Sequence, residues 1–280
     1  MTQYPIIHIN GQVSQHISVL DRGFAYGDGF FETCRVYNNK IHLWDLHLKR
    51  ILNTAKQLLI PIEKDLLENQ IQHILQKNNL EHAVLKIQIT RGETSRGYSF
   101  PENLLPNYIL FLSETSHLDI PSWLGGVTVG ICNIRLSSNP TLAGLKHLNR
   151  LENVLARAEL KSESSEGLLL DQQNNLIEGT MSNLFLVKDN TLVTPDLTAA
   201  GVCGVMREAI MTIYAVQLNI PVIQKKLTLD DMGEAEEIFL CNSLIGIWPV
   251  KKCVREKTSV FALGEVTRKL QVELIRHVTS

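Results

Sequence analysis

Four tight turns frame the chain. Asn10-Gly11, Asn38-Asn39, Asn174-Asn175 and Asp189-Asn190 all border short apolar runs. Asn, Asp and Gly tolerate the positive φ angles that two-residue hairpin turns need. IIHI therefore reads as a strand entering a hairpin, and CRVY with KIHLW as a second one. GLLLD with LIEG, and NLFLV with TLVT, repeat the pattern beyond residue 166. Tight turns on both sides of the chain's middle predict antiparallel sheet in two separate places.

Other segments fill in around these hairpins. VLKIQITR, YILFLS, VTVGICNI, PVIQKKL and EIFLCN have strand character. A helix is expected from about Asp45, with Leu48, Ile51, Leu52, Ala55 and Leu59 on one face. It ends before Pro61, which cannot continue it. A second helix is expected from Lys64 to Gln76, a third over MREAIMTIYAVQL, and a last one at the end of the chain. The stretch 116–126, with Pro121 and the pair Gly125-Gly126, reads as a linker. The fold class is α+β in two unequal parts, a smaller one over 1–115 and a larger, mostly antiparallel one over 127–280.

Composition narrows the function classes. The 280 residues are 44% hydrophobic, enough for a large core in one or two domains. Twenty-seven basic and 29 acidic residues give a net charge of −2. That balance argues against a nucleic-acid surface. The five cysteines are scattered without a CxxC pair, as expected of small hydrophobes in a reducing compartment. MTQYPIIHINGQ lacks a basic segment leading into an apolar one, and no apolar run reaches membrane-spanning length. The expectation is a cytoplasmic protein with no membrane partner.

Chemistry concentrates around Lys146. In NPTLAGLKHLNRLENVLAR the residues Leu148, Leu151, Val154, Leu155 and Ala158 recur at helical spacing, as expected of one buried face. Lys146 sits just before it, between Leu145 and His147. An amine among apolar neighbours loses its proton more readily and can form a Schiff base with an aldehyde. Its plainer reading is a surface lysine with its stem on apolar neighbours. Glu178, where LIEG gives way to a turn, is either a solvated turn residue or a carboxylate able to hold a proton on a heterocyclic nitrogen. GVCGVMR brings glycines to a helix start, where free amides suit an anion, although helix entries without ligands look the same. Arg50 in DLHLKRI is either a phosphate fork or part of a solvated helix face. Ser243, after EIFLCN, offers a hydroxyl, and Arg91 and Arg96 flank the loop of TRGETSRGY. HExxH, GxSxG and a zinc spacing do not occur, which disfavours metal catalysis.

In order, DRGFAYGDGFFETCRV, DLHLKR, SRGY, NPTLAGLKHLNRLENVLAR, IEGTMSNLF, GVCGVMR and the CNS turn resemble the fold-type IV pyridoxal-phosphate enzymes. The resemblance runs from about Ile9 to Val250. That family includes branched-chain and D-amino-acid aminotransferases and the aminodeoxychorismate lyases. It implies a two-domain D-amino-acid-aminotransferase-like fold, a homodimer and pyridoxal 5'-phosphate. It implies that Lys146 carries the cofactor and shuttles a proton, and that Glu178 pairs with the ring nitrogen. It also implies that Arg50, Val205, Met206, Ser243 and Leu244 hold the phosphate. The lyase branch is resembled most, through NPTLAGLKHLNRLE and SRGY. Aminotransferases of this fold commonly carry Tyr four residues after the lysine, where this chain has Arg150. Thr33 is similar to a lyase threonine linked to proton transfer, and Asn242 stands where aminotransferases often have Gly. The implied small-molecule substrate carries two carboxylates, for which Arg96, Tyr98 and Arg150 are candidates. The alternatives are an aminotransferase of the same fold and a non-catalytic scaffold.

Overall fold

The computed structural model describes residues 5–115, 119–160, 162–254 and 258–279. They divide into two units, Met1–His117 with Lys146–Asn149, and Leu118–Leu145 with Arg150–Ser280.

The first unit is one antiparallel sheet with its two long helices on one side. Its elements are β1 (Ile6–Ile9), β2 (Gln12–Val13), α1 (Arg22–Tyr26), β3 (Gly29–Tyr37) and β4 (Lys40–Ile41). They continue with α2 (Trp44–Gln57), α3 (Lys64–Asn78), β5 (His82–Thr90) and β6 (Asn107–Glu114). The strand order is β2-β1-β6-β5-β3-β4. Asn10, Asn38 and Asn39 take the left-handed φ angles that the first two hairpins require. Side chains alternate across a strand, so Phe30, Cys34 and Val36 share one face of β3. They pack with Leu85, Ile87 and Ile89 of β5, with Ile51 and Ala55 of α2, and with Leu67, Ile71 and Ile74 of α3. The helix face expected in α2 is narrower than its sequence period: Leu52 and Leu59 are exposed, while His47 and Thr54 are buried.

The second unit is a mixed sheet. It opens with α4 (Ile120–Gly125) and β7 (Val127–Leu136), then α5 (Leu151–Ala158). Next come β8 (Glu166–Asp171), β9 (Leu176–Gly179), β10 (Asn183–Lys188), β11 (Thr191–Pro195) and α6 (Val205–Ala209). A π-helical turn, Ile210–Tyr214, carries α6 into α7 (Ala215–Gln217). The chain then forms β12 (Val222–Lys225), α8 (Leu229–Gly233), β13 (Glu237–Asn242), β14 (Gly246–Val254), β15 (Ser259–Val260) and α9 (Glu265–Thr279). The order is β12-β11-β10-β13-β14-β7-β8-β9, with β15 on β14.

The sheet is mostly antiparallel, as expected, and both expected hairpins form, β8 with β9 and β10 with β11. β7 runs parallel to both β14 and β8, and β11 parallel to β12. Two expectations are corrected here. Within the expected linker 116–126, residues 116–118 lie outside the described residues, and Ile120–Gly125 is helical with Trp123 buried. The stripe expected to be buried on α5 is exposed, with Leu151 at 69%, Val154 at 61% and Leu155 at 50%. Helical spacing starting at Leu148 is broken because 146–149 is extended and packs in the first unit. α5 starts only at Leu151, and it buries Ala156 instead.

Candidate active site

Lys146 reaches its place through β3. Phe31 N–H donates to the Lys146 carbonyl at 3.0 Å, and Leu148 N–H donates to the Gly29 carbonyl at 3.0 Å. Phe30 and His147 form an antiparallel bridge between them. A side chain at Gly29 is excluded, since a Cβ there would lie 2.4 Å from the Ile89 carbonyl oxygen. This edge pairing puts Lys146 on the side of β3 that carries Phe31 and Thr33, opposite the hydrophobic core. The Lys146 Nζ lies 4.3 Å from the Phe31 ring centroid, close enough for the ring to attract an ammonium.

Arg50 faces inward, as a fork and not as part of a solvated face. Its Nε and Nη2 donate to the two oxygens of Glu32 at 2.7 and 2.6 Å. His47, one helical turn earlier, lies 2.6 Å from the same carboxylate through Nδ1. Glu32 occupies a core position of β3, between Phe30 and Cys34. Burial pushes its carboxyl up, but Arg50 and His47 outweigh burial and hold it at about 2. Burial pushes the Cys34 thiol well up, as does the Glu32 charge, while Arg50 and Lys146 draw it down. Glu32, Cys34 and His47 offer closely spaced ligand atoms. Arg50 already neutralises the carboxylate, leaving it poorly suited to a metal ion.

The loop after β5 is tied down by Arg91, expected to flank it, and by Arg22, which the sequence alone did not single out. Arg91 donates to both oxygens of Asp28 and to the carbonyls of Leu58 and Leu59, and so it is a framework residue. Arg22 donates to Asp28, Thr94 and the carbonyls of Gly97 and Tyr98. Arg96 is exposed on this loop, and Tyr98 is exposed with its ring 5.4 Å from that of Tyr26.

The second unit contributes a buried carboxylate and a helix start. Glu178 on β9 is 4% exposed and accepts the Val202 N–H at 2.8 Å. Gly201 has a φ of 86°, and a Cβ there would approach the Glu178 carboxylate. Asn183 donates to the Val202 carbonyl, and a Cβ on Gly204 would strike its amide oxygen. The GVCG segment thus lies flat against β9 and β10 and leads into α6, where Val205 and Met206 are buried. Amides at a helix start lack intrahelical partners. Arg207 locks this entry by donating to Thr194, the Pro195 carbonyl and Gln224.

The turn after Glu178 is shaped by Glu166, which is fully buried. It accepts the amides of Gly167, Thr180 and Met181 and the hydroxyls of Thr180 and Ser182. In the CNS turn the Asn242 side chain accepts the amides of Leu244 and Ile245 and donates to the Met181 carbonyl. The Leu244 amide is therefore engaged by Asn242 here. Arg150 caps the start of α5 and reaches the Leu145 carbonyl at 3.4 Å. Burial lowers its pKa, while Glu178 and Glu152 raise it.

Lys146, Thr33 and Arg50 thus belong to the first unit, with Arg96 and Tyr98 on its loop. Glu178, Arg150, Val205, Met206, Ser243 and Leu244 belong to the second. The first unit offers an amine and an inward arginine, and the second, taken by itself, a buried carboxylate and a glycine-led helix start.

The family model described as amino-transferase class IV matches residues 29–253. The chain belongs to this family. It is 36% identical over 271 residues to an aminodeoxychorismate lyase of Vibrio harveyi, covering 95% of this chain and 98% of that protein. A solved 4-amino-4-deoxychorismate lyase from Pseudomonas aeruginosa superposes with a TM-score of 0.91 at 40% identity, over 96% of this chain and 98% of that one. A class IV relative with another activity, a D-alanine aminotransferase of Staphylococcus aureus, is 28% identical over 286 residues, covering 98% of each.

Proposed function

We propose that the chain is a pyridoxal-phosphate-dependent aminodeoxychorismate lyase that releases 4-aminobenzoate and pyruvate. The observation carrying this reading is end-to-end likeness to two lyases, at 36% and 40% identity, against 28% for the aminotransferase. Arg150, in place of the tyrosine common in aminotransferases, supports the same branch.

When bound, pyridoxal phosphate supplies an aldehyde that condenses with amines and a protonated ring that accepts an electron pair. Lys146 Nζ anchors that aldehyde and then takes the proton from the amine-bearing carbon of the substrate. Thr33, on the same sheet face, assists that transfer. Glu178 keeps a proton on the ring nitrogen, and its burial favours a strong charge-assisted bond there. Arg50 binds the phosphate with the amides of Val205 and Met206 and the Ser243–Leu244 turn. Arg96, Tyr98 and Arg150 meet the substrate. With the proton gone from the amine-bearing carbon, the adjacent carbon–oxygen bond to the enolpyruvyl group breaks, which leaves the ring aromatic, and the released enolpyruvate takes up a proton to become pyruvate.

The protein works as a homodimer in the cytoplasm. Leu151, Val154 and Leu155 form an exposed apolar stripe on α5, of the kind that a second copy covers. The scattered, odd-numbered cysteines support the compartment.

Incubation with aminodeoxychorismate tests the reading. Equimolar 4-aminobenzoate and pyruvate are expected. Efficient amino transfer to 2-oxoglutarate without aromatic product would identify an aminotransferase instead.

A further inference from the structure

We infer that Arg22 is the positioning residue of the loop that carries Arg96 and Tyr98, and that it acts on the substrate through them. This rests on the lyase reading above, in which those two side chains meet the substrate. Arg96 is exposed, and Tyr98 is 84% exposed. Apart from the Tyr26 ring beside Tyr98, neighbouring side chains do little to aim them. Their direction is set by the backbone of residues 96–98.

That backbone is held by one guanidinium. Arg22 Nη1 donates to the carbonyls of Gly97 at 3.1 Å and Ser99 at 3.4 Å, and Nη2 donates to the Tyr98 carbonyl at 3.0 Å. Three consecutive carbonyls thus turn onto the same cation. Gly97 allows that curl with a φ of 91°. Its N–H donates to the Tyr26 hydroxyl at 3.1 Å. Arg22 Nη1 also donates to the Thr94 hydroxyl at 3.1 Å, at the start of the loop.

Arg22 is itself fixed. It is buried, and its Nε donates to Asp28 at 2.8 Å. Asp28 also accepts from Arg91, which holds the carbonyls of Leu58 and Leu59 just beyond α2. The rings of Tyr26 and Phe100 lie 5.1 and 5.6 Å from the Arg22 Cζ, within cation–π range. Its donors are engaged by Asp28, Thr94 and the three carbonyls, so Arg22 acts through the loop and not by touching the substrate. Only a planar fork does this. A lysine presents its donors from one point and cannot face Asp28 and three carbonyls at once.

The experiment uses the holoenzyme and three variants: Arg22→Lys, the pair Arg96→Ala with Tyr98→Ala, and all three changes together. KM and kcat are measured with aminodeoxychorismate, and backbone hydrogen exchange over residues 93–100 is followed by mass spectrometry. In Arg22→Lys that exchange should speed up, and KM should rise about ten- to hundredfold, the penalty for misplaced binding groups. The kcat and the absorbance of bound cofactor should stay near wild type. Coupling is the readout that a merely structural role would not move: once Arg96 and Tyr98 are truncated, Arg22→Lys should add almost nothing to KM. Phe100→Leu, which removes a ring facing Arg22 from the loop side, replaces Arg22→Lys should that variant fail to fold, with the same coupling expected. A wild-type KM in Arg22→Lys, or a rise that persists undiminished without Arg96 and Tyr98, would overturn the assignment, as would a wild-type KM when those two are truncated alone. A wild-type enzyme that releases no 4-aminobenzoate would instead overturn the lyase reading on which it rests.

Discussion

Arg50 grips both carboxylate oxygens of Glu32, at 2.7 Å through Nε and 2.6 Å through Nη2. The pair crosses from α2 to a core position of β3, so helix and sheet jointly fix the direction of the guanidinium. A planar fork held this way is preorganised for a second anion. Glu32→Gln removes one charge of a buried pair and leaves the other, which costs about 3–5 kcal/mol. Denaturant unfolding should show that loss. Equilibrium dialysis should show weaker pyridoxal phosphate binding, with pyridoxal lacking the phosphate affected less.

The same pair makes stability depend on pH. Glu32 titrates at about 2 in the folded chain, against an ordinary 4.5. A depressed carboxyl stabilises the fold fully above its unfolded pKa, and that stabilisation is lost as pH falls towards the folded value. The shift corresponds to about 3 kcal/mol. Wild-type unfolding free energy should therefore fall between about pH 5 and pH 2, and Glu32→Gln should lack that part of the decline.

Glu166 makes a comparable prediction without the cofactor. Its buried carboxylate satisfies three amides and two hydroxyls around the turn that follows Glu178. Glu166→Leu leaves those donors without a partner, at about 1–3 kcal/mol for each that stays buried and dry. Thermal unfolding of the apoprotein should show a large drop in Tm. An unchanged Tm would mean that water or a rearranged turn takes over.

Glu178→Ala separates binding from turnover. The variant should still take up pyridoxal phosphate, since Lys146 and Arg50 remain. Its turnover should fall about a hundredfold or more, the cost of removing one preorganised charge from a reacting site. Wild-type turnover would show that the ring nitrogen does not depend on this carboxylate.

Local signals were the readable ones. Asn10, Asn38, Asn39, Asn174, Asp189 and Asn190 all have positive φ, because turn chemistry is decided by the turn residues themselves. The pair of Glu32 and Arg50 joins residues 18 apart, and only the alternation of Phe30, Glu32 and Cys34 hints that a carboxylate points inward. Leu151, Val154 and Leu155 have the spacing of a buried face, yet period reports which residues share a face and not what covers it. The extended Lys146–Leu148 segment was hidden for a similar reason: its pairing with Gly29–Phe31 spans more than a hundred residues. Arg22 and Arg91 both lie beside glycines, and only the folded loop shows how many carbonyls they hold.

The direct test of the central claim is the position of the cofactor bond. The protein is incubated with pyridoxal phosphate, reduced with borohydride and digested, and the modified peptide is located by mass spectrometry. The account predicts a phosphopyridoxyl group on Lys146, absent from a folded Lys146→Ala variant. An adduct on another lysine, or no adduct at all, would contradict it.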